Sequence, residues 1–363
     1  MAYTTINKST DYFNTKLYTG NNSTNVITGV GHQPDMVWIK RRNNISDHQV
    51  YDAVRGVQKG IFTSTTGAEA TEGSTRGLNA FNSDGFTLGA EVSDIAGSCN
   101  ANSDTYVSWN WKANGTGSSN TDGSITSTVS ANTTSGFSIV SYTGNGSSTG
   151  SNVVGHGLGT TPSMIIIKGR AGTNAVNNWY CWHKGLSANH NIALNLTAEQ
   201  RTTSSYSSGI INNSPTSNTF GFDSGTSLLN INESGTTYIA YCFAEKKGFS
   251  KFGSYTGNAS TDGPFVYTGF KPAFFMIKRI DDAASWYIYD NKRDSYNTMT
   301  KNVFPNTSNV EDDNVNNNVD FLSNGFKLRT ISGARNTAGG TYIWMALAEA
   351  PLVGSNNIPC TAR

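Results

Sequence analysis

One short string occurs three times in the sequence, and this repetition constrains the fold more than any other feature. The string reads LYTGNNS at 17–23, SYTGNGS at 141–147 and SYTGNAS at 254–260. Each copy is followed, in the same order, by a proline before an apolar run, an aromatic cluster, a Gly-Phe pair and a Thr-Tyr string. Ordered matches of this kind indicate internal duplication, so the chain is predicted to contain three homologous units.

The apolar run after each proline is typical of a strand that is covered on both faces. The lysine that ends the run is predicted to mark the exit of that strand to water. These runs are PDMVWIK (34–40), PSMIIIK (162–168) and PAFFMIK (272–278). The aromatic clusters are QVYDAVRG (49–56), NWYCWHKGL (178–186) and SWYIYDNKR (285–293), and the closing strings are TYVSWNWKA (105–113), TYIAYCFAE (237–245) and TYIWMALAE (341–349).

The composition favours an all-β fold. The chain of 363 residues has 38 Gly, 16 Tyr and 17 Phe, with Ser, Thr and Asn between the apolar patches, which is typical of short strands joined by many turns. No convincing segment has apolar residues at helical spacing. Asp84-Gly85 and Asn324-Gly325 are predicted hairpin turns, with Gly221 in the same role. Each unit, at roughly 105 to 120 residues, is large enough to bury a core, so three tandem β-sandwich units are predicted.

The repeats also predict the boundaries of the units. The predicted parts are unit one (1–113, divergent), a Ser/Thr/Gly linker (114–135), unit two (136–247), unit three (248–350) and a C-terminal tail (351–363). The linker has no aromatic residue and is expected to be extended or flexible. Units two and three follow one another almost directly and are expected to pack closely. The tail lacks a strand pattern and is interpreted as a docking peptide or a frayed end.

The charge pattern argues against several classes of partner. Lys and Arg number 26 and Asp and Glu 25, a net charge of +1 without a basic block, so no nucleic-acid partner is expected. The amino terminus has no apolar core of a signal peptide and no run is long enough to span a bilayer, so we expect cytoplasmic synthesis without membrane insertion. The five histidines show no zinc-ligand spacing, and no metal or cofactor is predicted.

Two motifs raise the hypothesis of an enzyme, and neither has the context that its chemistry needs. GSSTG at 146–150 matches GxSxG, but no helix follows the serine, so a glycine-rich loop is the favoured interpretation. Glu311 and Asp313 supply half of the ExDxxE string of sandwich glucanases, yet position 316 is Asn and the segment is strongly polar. A solvated loop is favoured there. The chain is predicted to have no catalytic residue.

An aromatic strand in unit two is the candidate ligand or partner surface. Trp179, Tyr180, Trp182 and His183 alternate along a predicted strand, so one pair must face outward if the other pair lies in the core. An outward tryptophan beside Lys184 would form a platform for sugar stacking or for a partner. Packing of that face against a neighbouring unit or subunit is the favoured interpretation. The candidate surface therefore comprises Trp179, Trp182, His183 and Lys184.

The repeated strings resemble a repeat found in virion-associated proteins of tailed phages that infect marine bacteria, including cyanobacteria. The resemblance rests on YTGN, HGLGTTPSMIIIK, WYCWHKGL, TYIAYCFAEKKGFSKFGSYTGN and DGPFVYTGFKPAFFMIKR, and it covers nearly the whole chain. It implies jelly-roll or concanavalin-like sandwiches similar to SPRY domains, a location in the virion, other virion proteins as partners, and a homo-oligomer, with a trimer favoured. It supplies no catalytic residue. Unit one departs from the pattern through SWNWKA (108–113) and an insert at 62–77, which suggests a role in anchoring.

Three hypotheses of function follow. The first is a non-enzymatic virion component, either a head decoration or a tail-fibre appendage, that presents sandwich modules to subunits and to the host surface. The alternative is a carbohydrate-binding adhesin of the tail, with a host-surface glycan as its ligand. The third is an enzyme that degrades a host-surface polysaccharide. Glycan affinity that is lost on Trp182→Ala would distinguish the second hypothesis, and release of reducing sugar ends would distinguish the third.

Overall fold

The computed structural model describes residues 3–73, 75–91, 98–147, 152–173, 175–202, 215–222, 229–356 and 358. The described chain is built from antiparallel sheets, which confirms the all-β prediction. Helix is limited, in these residues, to a 3₁₀ turn at Ser9–Asp11 and to the short helices α1 (Leu229–Asn232) and α2 (Gly333–Asn336).

The strands occur in the same order as the repeated strings. Unit one contains β1 (Phe13–Thr19), β2 (Asn25–Thr28), β3 (Met36–Arg41), β4 (Gln49–Asp52), β5 (Lys59–Phe62), β6 (Ala70–Thr71), β7 (Leu78–Asn82), β8 (Gly85–Leu88) and β9 (Thr105–Trp111). The segment before unit two and unit two itself contain β10 (Ser118–Asn120), β11 (Ser127–Asn132), β12 (Phe137–Thr143), β13 (Val153–Gly155), β14 (Met164–Ala171), β15 (Tyr180–His183), β16 (His190–Ala193), β17 (Arg201–Thr202), β18 (Thr219–Gly221) and β19 (Thr237–Phe243). Unit three contains β20 (Ser250–Thr256), β21 (Phe265–Tyr267), β22 (Phe270–Arg279), β23 (Trp286–Asp290), β24 (Lys301–Asn302), β25 (Asp312–Asp313), β26 (Val319–Leu322), β27 (Gly325–Leu328) and β28 (Thr341–Pro351).

The strand order of the larger sheet recurs from unit to unit. In unit one it is β1-β9-β3-β4-β5-β6, in unit two β12-β19-β14-β15-β16-β17, and in unit three β20-β28-β22-β23. A smaller sheet accompanies each, with the orders β2-β8-β7, β13-β18 and β21-β27-β26. Each unit thus contains one large and one small sheet, and their equivalent strands follow one another in the same order along the sequence.

The large sheets are apolar on both faces, and the two faces belong to different cores. In β19, Tyr238, Ala240 and Cys242 pack in a core formed by unit two and by Ile125 and Val129 of the segment before it. The alternate residues Ile239 and Tyr241 pack in a second core that also contains side chains of units one and three. Because side chains alternate across a strand, both cores are built from one continuous apolar run. The prediction of strands that are covered on both faces is confirmed.

Residues 114–135, predicted as an extended or flexible linker, are extended and belong to a sheet. They contain β10 and β11, and β11 pairs with β12 along its whole length, so the segment continues the large sheet of unit two. Ile125 also bridges Val154 of the small sheet. Two apolar side chains of the segment, Ile125 and Val129, are buried in the core of unit two, whereas β10 at the sheet edge is polar.

The hairpin glycines serve a different purpose from the predicted one. Gly85 and Gly325 lie at the first positions of β8 and β27, beyond their turns, and Gly221 lies within β18. A Cβ on Gly85 would collide with the carbonyl of Ile27, and one on Gly325 with that of Val266. Glycine is therefore required by the close approach of a neighbouring strand, not by the dihedral angles of a type I′ turn.

Candidate functional site

The predicted aromatic platform of unit two is buried. Trp179 is 1 % exposed, Trp182 is 7 % exposed and His183 is 1 % exposed. Trp182 lies in the core of unit two, whereas Trp179 lies in the core shared by the three units. Lys184 is at the surface, with its Nζ 2.5 Å from the Glu245 carboxylate. No tryptophan face of this strand is open to a sugar, and the expected outward face packs instead against neighbouring units.

Contacts to other units account for the burial of this strand. The indole Nε1 of Trp179 donates to the carbonyl of Phe62 in unit one, at 2.8 Å. Nδ1 of His183 accepts from the Gly185 N–H at 3.0 Å, so its Nε2 donates to the carbonyl of Trp344 in unit three, at 3.1 Å. Burial lowers the pKa of His183 to about 3, so the ring is neutral at neutral pH.

A buried ion pair lies at each junction of unit one with another unit and accepts a hydrogen bond from across that junction; the sequence analysis did not predict these pairs. At the junction with unit two, Arg55 Nε lies 2.5 Å from Asp52 Oδ2, and both side chains are 0 % exposed. The hydroxyl of Tyr241 in unit two donates to the same carboxylate oxygen at 2.7 Å. Burial disfavours the charge on Arg55, but Asp52, Tyr241 and Glu69 together outweigh this effect and raise the arginine pKa.

The junction of unit one with unit three repeats this arrangement. Arg293 Nε lies 2.5 Å from Asp290 Oδ2, and both side chains are again 0 % exposed. The third group comes from unit one, where the indole of Trp109 donates to Asp290 Oδ2 at 3.1 Å. Trp109 is the fifth residue of β9, as Tyr241 is of β19. The side chain at this strand position therefore donates in both cases to an equivalent aspartate of another unit, Asp290 or Asp52.

A second ion pair accompanies each of the first two. Glu69 of unit one accepts from Arg170 of unit two at 2.8 Å and 3.2 Å. Glu311 of unit three accepts from Arg42 of unit one at 2.9 Å and 2.8 Å. Burial alone would raise the pKa of Glu69, but the hydrogen bonds from Arg170 and the charge of the neighbouring arginines bring it below its ordinary value. Glu311, predicted in a solvated loop, is thus a largely buried interface residue.

The junction of units two and three has the same backbone contacts without the charges. His183 ends β15 where Asp52 ends β4, and Leu186 stands where arginine follows in the other two units. Met345 takes the strand position of Tyr241. The N–H of Gln200 donates to the carbonyl of Ile280 at 3.0 Å, as Glu69 does to Arg170 and Glu311 to Arg42, both at 2.9 Å.

The three lysines that end the proline strings are buried, so the prediction that they reach water is wrong. Each ammonium group donates to a carbonyl of a different unit. The contacts run from Lys40 to Ser308 at 3.0 Å, from Lys168 to Thr66 at 3.2 Å and from Lys278 to Thr197 at 3.2 Å. Burial lowers the pKa of each lysine to about 7. These contacts join unit one to three, three to two and two to one, which closes a ring within one chain.

The repeated YTGN string has one structural explanation in all units. Its tyrosine stacks on the tyrosine of the closing string, with ring centroids 5.1 Å apart for Tyr18 and Tyr106, 5.1 Å for Tyr142 and Tyr238, and 4.9 Å for Tyr255 and Tyr342. Its glycine lies against backbone, and a Cβ at Gly144 would collide with the carbonyl of Glu233. Its asparagine N–H is held by a buried asparagine, Asn100, Asn232 or Asn336. The string makes equivalent structural contacts at all three places.

An exposed aromatic pair lies on the outer strand of unit three. Phe265 is 46 % exposed and Tyr267 is 49 % exposed, and both belong to β21 at the edge of the small sheet. The Nζ of Lys251 lies 4.9 Å from the centre of the Tyr267 ring. The sequence analysis did not predict this pair. The signal that could have found it is a difference between the units, since the other two have no aromatic residue at the corresponding positions.

Three further observations bear on chemistry. Within the described ranges, no group of three or more His, Cys, Asp and Glu side chains is arranged to hold a metal ion. In the same part of the chain, no helix has the length and apolar character needed to span a membrane. Of the GxSxG string, positions 148–150 lie outside the described residues, so its geometry is not described.

Comparison with known proteins identifies the family of the chain. A family model described as "Domain of unknown function (DUF7483)" matches residues 8–351. No curated protein and no solved structure matches the chain. The matched range includes the large sheets of all three units and each of the junction residues described above. The chain therefore belongs to the DUF7483 family.

Proposed function

We propose that the protein is a non-enzymatic structural component of a tailed-phage virion, of the head-decoration or tail-fibre type. The observation that carries this proposal is the closed set of junctions. Buried ion pairs lie at the junctions between units. Their residues are Asp52, Arg55, Asp290, Arg293 and Glu311. Buried ionisable residues in such an arrangement favour a rigid building block, whose loops and outer strands are free to contact other subunits. The resemblance of the repeated strings to virion proteins points the same way.

We further propose that the three units are tandem copies of one jelly-roll or concanavalin-like sandwich. Two kinds of observation support this. The strand order of the large sheet recurs in the three ranges. The tyrosine of each YTGN string donates to the carbonyl of the residue before the buried asparagine, as Tyr18 to Cys99 at 2.7 Å and Tyr142 to Ile231 at 2.8 Å. Contacts conserved at this level of detail are expected of duplicated modules.

The partners in this proposal are other virion proteins and further copies of the chain, with a trimer as the favoured assembly and the virion as its location. Because the lysine and ion-pair contacts already close a ring of three units inside one chain, association between copies must use outer surfaces. The edge strands and loops of the small sheets are the surfaces that remain for it.

Location on intact particles tests the proposal. Particles of the source phage are purified, analysed by mass spectrometry and imaged after labelling with an antibody raised against the chain. We expect the chain to copurify in a fixed ratio to the major capsid protein, with label at one defined place on head or tail. Presence of the chain in infected-cell lysate but not in purified particles would contradict the proposal.

The second candidate function is binding of a host-surface glycan as a tail adhesin. The observation that favours it is the outward pair Phe265 and Tyr267 with the neighbouring Lys251. Because Trp182 is buried, a Trp182→Ala variant tests folding rather than sugar contact, and the outward pair replaces it as the place to mutate. Release of reducing sugar ends from host envelope would favour the enzyme hypothesis instead.

A further inference from the structure

The outer strand of unit three departs from those of the other units at two positions on one face. Phe326 pairs with Val266 in unit three as Phe86 pairs with Ile27 in unit one. Phe265 and Tyr267 therefore correspond to Val26 and Thr28 of β2. Only unit three has aromatic side chains at these two surface positions. The fold that the three units share therefore does not require them.

The corresponding strand of unit two is covered by its own chain. The N–H of Ile125 donates to the carbonyl of Val153 at 3.0 Å, and the hydroxyl of Ser127 donates to the carbonyl of Gly155 at 3.0 Å. In unit three both aromatic side chains are about half exposed. Unit three thus leaves β21 as an edge strand with two accessible aromatic side chains, at the place where unit two has a strand edge that its own chain covers.

The two rings are held in place. Phe265 lies against Gly325, where a Cβ would be 2.9 Å from its Cε2 atom, so the absence of a side chain lets the ring rest on the sheet. The ring of Tyr267 has Lys251 Nζ 4.9 Å from its centre. Residues two apart on a strand face the same side at a spacing of about 6.6 Å, so the rings form a continuous strip.

The strip has an excess of positive charge. Besides Lys251, Lys247 Nζ lies 4.4 Å from the centre of the Tyr3 ring, and the Tyr3 hydroxyl donates to the carbonyl of Gly269 at 2.9 Å. A Cβ at Gly269 would lie 2.8 Å from the Tyr3 hydroxyl and 3.3 Å from the Tyr267 hydroxyl, so both tyrosines meet at this glycine and both lysines lie on one patch. In the described part of the chain neither lysine has a carboxylate within ion-pair distance, in contrast to the surface lysine Lys184.

We propose that Tyr3, Phe265, Tyr267, Lys247 and Lys251, the aromatic-lysine patch, bind an acidic polysaccharide. Aromatic rings offer flat apolar area for the C–H faces of sugar rings, and the tyrosine hydroxyls add polar contacts at the edge. The ammonium groups supply partners for carboxylate or sulfate groups, which a neutral glycan lacks. This inference rests on the second candidate function, glycan binding, and does not depend on the location of the chain in the particle.

Binding of the intact chain to immobilised polysaccharides tests the patch. The probes are polygalacturonate, chondroitin sulfate and the neutral polymer dextran. We expect retention on at least one acidic polymer and none on dextran. The double variant Phe265→Val and Tyr267→Thr approaches the residue types of unit one and is expected to bind at least tenfold more weakly. Lys251→Gln is expected to bind several-fold more weakly and to show a smaller loss of binding with added salt.

The matched control is Tyr296→Ser, which removes a tyrosine of unit three that is 86 % exposed and lies outside the patch. It is expected to bind like the unaltered chain, and circular dichroism checks that every variant is folded. Failure to bind either acidic polymer, equal binding to dextran, or binding unaffected by the patch variants would each overturn the inference. So would loss of self-association as the only effect of the double variant, because the patch would then contact a second copy. Particle labelling is read separately, so failure here leaves the virion proposal standing.

Discussion

The junctions of unit one and the junction between units two and three achieve the same packing with different chemistry. Asp52 and Arg55, like Asp290 and Arg293, are fully buried pairs that receive a hydrogen bond from the neighbouring unit. At the remaining junction the corresponding place holds His183, Leu186 and Met345, and the imidazole of His183 is neutral and donates to a carbonyl. The ring closes in both cases.

This difference indicates which interactions stabilise the assembly. A buried ion pair is opposed by a desolvation cost, and apolar residues of similar volume often replace one without loss. The uncharged junction shows such a replacement within the chain. We infer that the shared apolar core supplies most of the stability, and that the ion pairs determine which faces meet, because an arginine at a wrong face would be buried without a carboxylate.

The largest expected effect is the loss of one carboxylate from a charged junction. In Asp290→Ala, the buried Arg293 loses its nearest carboxylate and keeps the longer contact to Glu311, at 3.2 Å, while Trp109 loses its acceptor. We expect the free energy of unfolding, measured by urea denaturation, to fall by about 3–5 kcal/mol. The control in the uncharged junction, His183→Ala, is expected to cost less, about 1–3 kcal/mol, because it leaves a neutral carbonyl unpaired. Equal losses would contradict the distinction between the junctions.

Replacing the charged residues of one junction by the residues of the uncharged junction sharpens the comparison. The double variant Asp290→His and Arg293→Leu gives the junction of units one and three the residues that unit two has at these places. Since it removes both charges together, we expect it to recover about half or more of the loss seen in Asp290→Ala. The same urea titration measures the recovery. A double variant no more stable than Asp290→Ala would show that the backbone there requires the charges.

The buried lysines make stability depend on pH. Their pKa falls from 10.5 in the unfolded chain to about 7 in the fold, so between these values the folded chain has released protons that the unfolded chain still holds. The free energy of unfolding is therefore expected to rise with pH in this window, by up to about 1.4 kcal/mol per pH unit for each lysine.

A variant at one lysine measures this contribution. Lys278→Met removes one of the three groups and is expected to reduce the slope of unfolding free energy against pH between 7 and 10 by about a third of the lysine contribution. Lys184→Met, at an exposed lysine, is the control and is expected to leave the slope unchanged. An unchanged slope in Lys278→Met would mean that this lysine keeps its charge in the fold.

The smallest expected effect tests the equivalence of the units. Tyr18→Phe, Tyr142→Phe and Tyr255→Phe each remove one hydroxyl that donates to a backbone carbonyl. Each is expected to lower the free energy of unfolding by about 1 kcal/mol, and the three losses should agree. Losses that differ by more than about 1 kcal/mol, a spread as large as the hydrogen bond itself, would contradict a shared structural role of the YTGN string.

The local features of the fold were predictable, because they follow from the spacing of apolar residues. Met164 to Ile167 indicated a strand covered on both sides, and it is one. The asparagines that hold the YTGN backbone were also within reach. Asn100, Asn232 and Asn336 each precede the closing string by five positions, a repeat that the sequence comparison did not use.

The junctions were not predictable from local patterns. The acceptor of Lys40 in unit three is 268 residues away in the sequence, and nothing near the lysine distinguishes it from one that reaches water. The favoured packing of the Trp179 strand could be predicted only as contact with a neighbouring unit or subunit for the same reason, since the packing of three sheets around one core is what makes both faces of the strand internal. The exposed pair Phe265 and Tyr267 becomes apparent once the paired strands of the units are aligned.

Differential scanning calorimetry of the full chain tests the central claim most directly, namely that the three large sheets share one core and unfold together. If Trp109, Tyr241 and Met345 pack in one cluster, no unit can unfold without exposing the apolar surface of the other two. We predict a single transition whose calorimetric enthalpy equals its van't Hoff enthalpy. Two or three separate transitions, with unit three unfolding at the temperature found for the isolated segment 248–350, would contradict the account.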